Sequence, residues 1–154
     1  MTNPSIEFRS LIERMSQAIC RGDGTAVAAC FVADGIYHDG FYGEFRGRDA
    51  IRDMVEKQFH ANARDFTWKV SDVLSDGSLA YARYDFSYVS KFPGSAGVRV
   101  YFAGISHAQL RDGLIARYGE MFDRGTALVQ MNFEPARIVK SLKRWAEEQK
   151  PAQR

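Results

Sequence analysis

The chain has 154 residues, of which 45% are hydrophobic and 26% are charged, and this composition predicts one globular domain over residues 1–154. The formal net charge is only +2, and the basic excess lies in residues 135–154, so a nucleic-acid-binding surface is not indicated. No apolar run approaches the length of a membrane span, and the first ten residues lack the pattern of a signal peptide. We therefore expect a soluble cytoplasmic protein without a nucleic-acid or membrane partner.

The first half of the chain predicts three helices and one strand. Asn3 followed by Pro4 supplies an N-cap and a first-turn proline. Apolar residues then recur at helical spacing up to Gly22, where the first helix is expected to end. The elements that follow are a short helix over residues 25–31, a strand over 36–42 and a helix after Gly47.

From Asp65 onward, hydrophobic residues alternate with polar ones, which is typical of β-strands. Turn signals over residues 75–78, 93–97 and 111–113 divide this segment. We therefore expect four consecutive strands, and Pro135 signals a final helix. The first of these strands carries Phe66, Trp68 and Val70, and the other three cover residues 79–90, 98–110 and 114–122.

This order of elements predicts an α+β fold and not a parallel α/β sheet, because the last four strands can pair in sequence as an antiparallel meander. A strongly curved antiparallel sheet wrapped around the first and third helices would bury their apolar faces. Such a sheet would leave a conical cavity at one end.

Glu120 is the strongest single candidate for chemistry. It lies on a strand face that is otherwise apolar, with Leu114, Ala116, Tyr118 and Phe122. Burial raises the pKa of a carboxyl group toward the range useful for acid or base catalysis. The alternative is a glutamate that reaches water at the strand end or pairs with a buried arginine.

The first strand places Tyr37 and Asp39 on one face and His38 on the other. The tyrosine can donate or accept a hydrogen bond, and the aspartate can orient water or remove a proton. The alternative is that Asp39 and Gly40 form a turn at the strand end.

Arg83 and Asp85 project from the same face of their strand, opposite an alanine- and aromatic-rich face that looks like a core. This alternation favours a solvated pair. In the second interpretation, Arg83 binds two carboxylates, Asp85 and Glu120, through charge-assisted hydrogen bonds.

Metal and nucleotide sites are not predicted. The chain has neither a phosphate-binding loop, nor a dinucleotide-binding loop, nor a nucleophile elbow, and no histidine pair has metal-ligand spacing. We therefore expect no metal and no cofactor.

The basic face of the last helix is interpreted as a solvated face rather than a docking site. Its residues are Arg137, Lys140, Lys143 and Arg144.

From Phe8 to about Phe133, the chain resembles the SnoaL-like branch of the nuclear-transport-factor-2-like superfamily. The resemblance is carried by ACFVADGIYHDGFYGEFRGRDAIRDMV, the meander that follows, and RYGEMFDRGTALVQMNF. It implies a cone-shaped, cystatin-like α+β fold with an apolar pocket and a homodimer formed through the sheet. The superfamily includes ketosteroid isomerases, polyketide cyclases, epoxide hydrolases and non-catalytic proteins, so the fold does not settle the function.

Within this superfamily, the candidate residues resemble those of limonene-epoxide hydrolases, which have Tyr-x-Asn, Arg-x-Asp and a last-strand Asp. Tyr37, Arg83 and Asp85 match, whereas Asp39 replaces the Asn and Glu120 replaces the last Asp. The resemblance implies that Asp85 activates a water held by Tyr37 and Asp39. Glu120 would then protonate the leaving oxygen, while Arg83 holds both acids.

An isomerase or cyclase function uses the same residues differently. Asp39 would remove a proton next to a carbonyl, and Tyr37 or a protonated Glu120 would stabilise the oxyanion. In both functions the substrate is a small or medium apolar molecule. The expected pocket walls are Met54, Trp68, Phe102, Tyr118 and Phe122.

The alternative from another class is a non-catalytic small-molecule-binding or dimeric interaction module on the same fold. It predicts that Arg83 and Asp85 face water and that the cone holds only apolar groups.

Overall fold

Helix α1 (Pro4–Arg21) forms where the sequence predicts it in the computed structural model, which describes residues 2–151. The Asn3 side chain accepts a hydrogen bond from the Ser5 N–H, and Gly22 ends the helix in the left-handed conformation. The apolar face of α1 contacts the sheet, and Ile12 and Met15 on this face are fully buried. Helix α1 is therefore the main layer beneath the sheet.

The other helices of the first half are short. Asp23 caps α2 by accepting a hydrogen bond from the Ala26 N–H. The predicted third helix is present, but its middle turn is π-helical. These elements are α2 (Gly24–Ala29), α3 (Arg48–Asp53), the π-helical segment (Met54–Phe59) and α4 (His60–Asn62).

Six strands form one mixed, curved and unclosed sheet with the order β2-β1-β6-β5-β4-β3. The last four pair in sequence as the antiparallel meander that the sequence predicts. The strands are β1 (Phe31–Asp39), β2 (Gly43–Arg46), β3 (Ala63–Ser75), β4 (Leu79–Ser90), β5 (Arg99–Arg111) and β6 (Leu114–Phe122).

The first strand differs from the prediction in extent and in pairing. It starts at Phe31 and ends at Asp39, and a short hairpin connects it to β2, which the sequence analysis missed. Strand β1 also runs parallel to β6, with Tyr37 beside Tyr118. Parallel pairing is possible here because a long stretch of chain connects the two strands.

Two helices complete the structure, α5 (Arg124–Gln130) and α6 (Pro135–Glu148). Helix α6 begins at the predicted proline, whereas α5 was not predicted. Asp123 caps α5 by accepting a hydrogen bond from the Thr126 N–H. Near the end of α5, the Gln130 side chain accepts a hydrogen bond from the Tyr101 N–H and donates one to the Tyr101 C=O. It thereby pairs the backbone of β5 where this strand extends beyond the end of β6.

The core lies on the inner face of the sheet in two adjoining parts. The first part packs α1, α2 and α3 against the sheet, and the second lies near α5 and α6 and is rich in phenylalanine. None of the helices within residues 2–151 combines the length and the hydrophobicity that crossing a bilayer requires.

Two isoleucines of α1 provide a matched test of this packing. Ile12 is fully buried and Ile6 is 66% exposed. We expect Ile12→Ala to lower the free energy of unfolding by about 2–5 kcal/mol, because it leaves a cavity between α1 and the sheet. Ile6→Ala should change it by less than about 0.5 kcal/mol. Urea denaturation followed by circular dichroism measures both, and similar losses would contradict the described packing of α1.

Candidate functional site

A cavity of about 770 Å³ lies between the inner face of the sheet and helix α6. Its volume falls within the range of sites that bind drug-sized ligands. Most of its wall is aromatic, and the residues contributing rings include Phe41, Phe66, Trp68, Phe86, Phe102 and Phe122.

Three of the five predicted wall residues line this cavity, namely Trp68, Phe102 and Phe122. Met54 does not, because it is fully buried in the core between the helices and the sheet. Tyr118 is also fully buried and contributes to the site through its hydroxyl group rather than as a wall. The predictions for Met54 and Tyr118 as walls are therefore wrong.

Glu120 lines the cavity and accepts hydrogen bonds from three tyrosine hydroxyls. Tyr118 donates to Oε1 at 2.8 Å and Tyr37 donates to the same oxygen at 3.2 Å. Tyr84 donates to Oε2 at 3.3 Å. The residues come from three strands, β6, β1 and β4, so the sheet assembles this tyrosine–glutamate cluster.

Tyr84 reaches Glu120 because the strand between them carries a glycine. In the sheet, Tyr84 pairs with Gly104, and Gly104 pairs with Phe122. A Cβ atom at Gly104 would lie 2.6 Å from the Tyr84 hydroxyl and 2.5 Å from the Met121 carbonyl oxygen. Any larger side chain would block the path of the tyrosine across β5.

Burial raises the pKa of Glu120 to about 7, and the nearby charge of Asp39 contributes to the shift. The tyrosine hydroxyls limit this shift, because they stabilise the carboxylate. Burial, followed by the charge of Glu120, raises the pKa values of Tyr37, Tyr84 and Tyr118. All three tyrosines therefore stay protonated and can donate hydrogen bonds at neutral pH.

Asp39 lies at the end of β1, where it lines the same cavity and is 8% exposed. One of its oxygens, Oδ2, accepts hydrogen bonds from the backbone N–H groups of Phe41 and Tyr42, at 2.8 and 2.9 Å. Asp39 is thus part of a turn, as one interpretation of the sequence proposed, and it also faces the cavity. Burial raises the pKa of Asp39, while the two backbone N–H groups and the nearby positive charges oppose the increase.

Arg83 and Asp85 lie on the opposite, exposed face of β4, whereas Tyr84 between them is buried. No ion pair within the described part of the chain joins either residue to Glu120. The interpretation in which Arg83 holds Asp85 and Glu120 together is therefore wrong. The alternation along the strand already favoured the solvated pair that the structure shows.

Sequence analysis missed two contributions to the cavity. Tyr84 lies on the strand face that the sequence predicts as core, but its hydroxyl contact with Glu120 depends on the pairing of Tyr84 with Gly104, which has no local signal in the sequence. Three residues of the basic face of α6 also line the cavity, namely Arg137, Lys140 and Arg144, and because all three are exposed they mark the end of the cavity that meets solvent. Their spacing of three and four residues was the available signal, because it places them on one side of a helix.

A sequence profile of the SnoaL-like domain matches residues 12–118 of the chain. No curated protein sequence matches the chain significantly.

Solved structures share the fold at low sequence identity. A proposed polyketide cyclase from Xanthomonas campestris has a TM-score of 0.69 and 19% identity, over 84% of this chain and 99% of its own. An LEH-like epoxide hydrolase from M. tuberculosis has a TM-score of 0.70 and 17% identity, over 92% and 96%. A hypothetical protein from Catenulispora acidiphila with a ketosteroid isomerase-like fold has a TM-score of 0.72 and 16% identity, over 87% and 100%.

The raised pKa of Glu120 predicts a pH-dependent stability. The unfolded chain loses this proton near pH 4.5, whereas the folded protein keeps it until about pH 7. The free energy of unfolding should therefore fall as pH rises through this window, with a contribution from Glu120 of roughly 3 kcal/mol. Urea denaturation of the wild type and of Glu120→Gln over this pH range measures the contribution of Glu120. If the free energy of unfolding of Glu120→Gln depended on pH as strongly as that of the wild type, Glu120 would not be the group with the raised pKa.

Proposed function

The chain belongs to the SnoaL-like domain family, and we propose that it is a cofactor-independent acid–base enzyme that isomerises or cyclises a carbonyl compound. One observation carries this proposal: two carboxyl groups, Asp39 and Glu120, line a single aromatic cavity. Neither forms an ion pair with any residue in the range 2–151. Two coupled acids in one apolar site separate into a base and an acid when their surroundings differ.

Asp39 is the base in this proposal. Its backbone N–H partners and the positive charge of Arg124 favour the ionised form, and both hydrogen bonds fall on Oδ2. The other oxygen, Oδ1, is then available to remove a proton from the carbon next to the substrate carbonyl.

Glu120 is the acid that stabilises the resulting enolate. Its surroundings contain tyrosine hydroxyls instead of a cation, so its carboxyl group retains a proton near neutral pH. A protonated carboxyl can donate a hydrogen bond to the enolate oxygen, while the Tyr84 hydroxyl stays hydrogen-bonded to Glu120. In an isomerisation, the proton on Asp39 then returns to a different carbon. In a cyclisation, the enolate carbon attacks a second carbonyl and closes a ring, and the oxygen of that carbonyl takes the proton from Asp39 and becomes a hydroxyl.

The other candidate functions receive less support. An epoxide hydrolase of the pattern described above needs an arginine between its acids, and Arg83 lies on the outer face. A purely apolar binding module does not require Asp39 and Glu120 in its cavity. The similar folds include a proposed polyketide cyclase, an LEH-like epoxide hydrolase and a protein with a ketosteroid isomerase-like fold, so their names do not separate these functions.

The assignment predicts the effects of three matched substitutions. Asp39→Asn and Glu120→Gln should each slow the reaction by about 10²–10⁴-fold, because each removes an acid–base group. Asp85→Asn, the same change on the outer face, should leave the rate unaltered.

The assay uses polycyclic β,γ-unsaturated ketones and measures conversion to the conjugated enone by ultraviolet absorbance, together with deuterium uptake by mass spectrometry. An unchanged rate in Asp39→Asn would exclude it as the base. Binding without conversion or deuterium uptake would favour the non-catalytic module.

The pH profile tests the roles of the two acids. Activity requires ionised Asp39 and protonated Glu120, so the rate should rise and then fall with pH, with the falling limb near pH 7. In Glu120→Gln the residual rate should lack this falling limb, because the amide does not titrate. A falling limb at the same pH in this variant would assign that limb to another group.

We also propose that two copies of the chain pair through the outer face of the sheet. The large apolar side chains exposed on this face include Tyr101, Ile105 and Met121, with exposed fractions of 60%, 52% and 73%. Ile105 lies opposite Met121 in the β5–β6 pairing, so the patch is continuous across the two strands. A continuous exposed apolar patch is typical of an interface, and a second copy presents the same patch.

A charge placed in this patch should separate the two copies. We expect Ile105→Glu to convert a dimer to a monomer in analytical ultracentrifugation, because a carboxylate would be buried between two apolar surfaces. Ile6→Glu, on an exposed site of α1, is the control and should remain dimeric. A wild-type protein that is monomeric at micromolar concentration would refute this assembly.

A further inference from the structure

We propose that the substrate carries an anionic group that binds at the cavity mouth to Arg137, Lys140 and Arg144. Its body would be a flat, apolar ring system in the aromatic interior, with the reacting carbonyl at the inner end. The substrate class is then an amphipathic keto acid. We call the binding of this anionic group by Arg137, Lys140 and Arg144 the anionic anchor. The inference of the anionic anchor depends only on the residues at the cavity mouth, whereas the position of the carbonyl also depends on the function proposed above.

The three basic residues lie on one side of helix α6. They follow one another at intervals of three and four residues and all line the cavity. Lys143, the remaining basic residue of this helix, is not among the lining residues. Cavity-facing and solvent-facing cations are therefore distinguishable on the same element.

The lining cations have few acidic partners. Arg137 and Lys140 form no ion pair within the described residues, and Arg144 has only Glu148 at 3.9 Å. The Arg137 guanidinium packs on the Phe133 ring at 4.2 Å, which holds it beside the cavity. These charges are available to an anion that enters the cavity.

The cavity is electrically asymmetric, and this asymmetry would orient a ligand. Its mouth carries Arg137, Lys140 and Arg144, whereas Asp39 and Glu120 lie among the strand residues of its wall. An anionic group is attracted to the basic end and repelled from the ionised Asp39. A substrate with an acid at one end would therefore bind with its uncharged carbonyl end toward Asp39 and Glu120.

Helix α6 is anchored so that its basic residues stay at the mouth. Trp145 is buried, its ring lies 4.1 Å from the Arg124 guanidinium, and its centroid is 6.1 Å from that of Phe41. Helix α6 also follows residue 118, where the match to the SnoaL-like profile ends. The basic mouth is thus not part of the segment that identifies the family.

The interior of the cavity suits a flat ring system. Phe102 and Phe122 stack with 4.4 Å between ring centroids and an interplanar angle of 12°. Phe86 and Phe41 pack against Phe102 at 4.9 and 6.4 Å. Such rings favour the face or the edge of another aromatic or polycyclic group.

A matched pair of ligands tests the anionic anchor without any reaction. The probes are 1-pyrenebutyric acid and its methyl ester, which share the flat apolar body and differ in the charge. We expect the wild type to bind the acid about tenfold more tightly than the ester, because three exposed cations each contribute a few-fold. Fluorescence titration measures both affinities.

Charge-removing variants assign the preference to α6. The triple variant Arg137→Gln, Lys140→Gln, Arg144→Gln should bind acid and ester equally, and its ester affinity should match that of the wild type. Lys143→Gln is the control and should keep the preference for the acid. As a check on the unmodified protein, raising the salt concentration from about 0.1 to about 1 M should weaken binding of the acid and spare the ester.

The outcomes separate this inference from the proposed function. Equal binding of acid and ester by the wild type, failure of both to bind, or a preference that survives in the triple variant would each overturn the anionic anchor. Loss of the preference in Lys143→Gln would do the same. Asp39→Asn and Glu120→Gln should keep the preference even though they lose turnover. An acid preference in a protein without proton-transfer activity would therefore refute the proposed function and retain the anchor.

Discussion

A carboxyl group taken out of water without a cation partner is unstable as an anion, and the arrangement around Glu120 follows from that constraint. Three tyrosine hydroxyls supply hydrogen bonds, which stabilise the carboxylate in part but leave its pKa near 7. An arginine in their place would have kept the group ionised. Because its hydrogen-bond donors are neutral tyrosine hydroxyls, Glu120 can act as an acid at neutral pH.

This cluster links the reactive group to the topology of the sheet. Tyr37 comes from β1, Tyr84 from β4 and Glu120 from β6, and β5 lies between the last two. The hydroxyl of Tyr84 passes over Gly104, and Tyr37 reaches the site because β1 lies parallel to β6. A shift of register by one residue in any of these strands would turn the side chains to the outer face. The site therefore depends on the whole sheet, while α1 supplies much of the buried surface that keeps the sheet in place.

Elements with a long and regular pattern were predictable. Strands β4 and β6 have the bounds that alternation and turn residues indicated, because both signals are local. Strand β2 and helix α5 have four and seven residues, too few for a periodicity to stand out. A local sign of α5 is its N-cap, Asp123.

The sequence by itself determined the α+β class, the meander, and the faces on which Tyr37, Asp39 and Glu120 lie, because alternation along a strand is a property of the backbone. Only the tertiary structure decided which of these faces meet. It brought Glu120 to Tyr84 instead of Arg83, because the inner face of β4 carries the tyrosine and pairing with β5 places a glycine in its path. It likewise brought the basic side of α6 to the cavity mouth, since the docking of a helix depends on contacts distant in the chain.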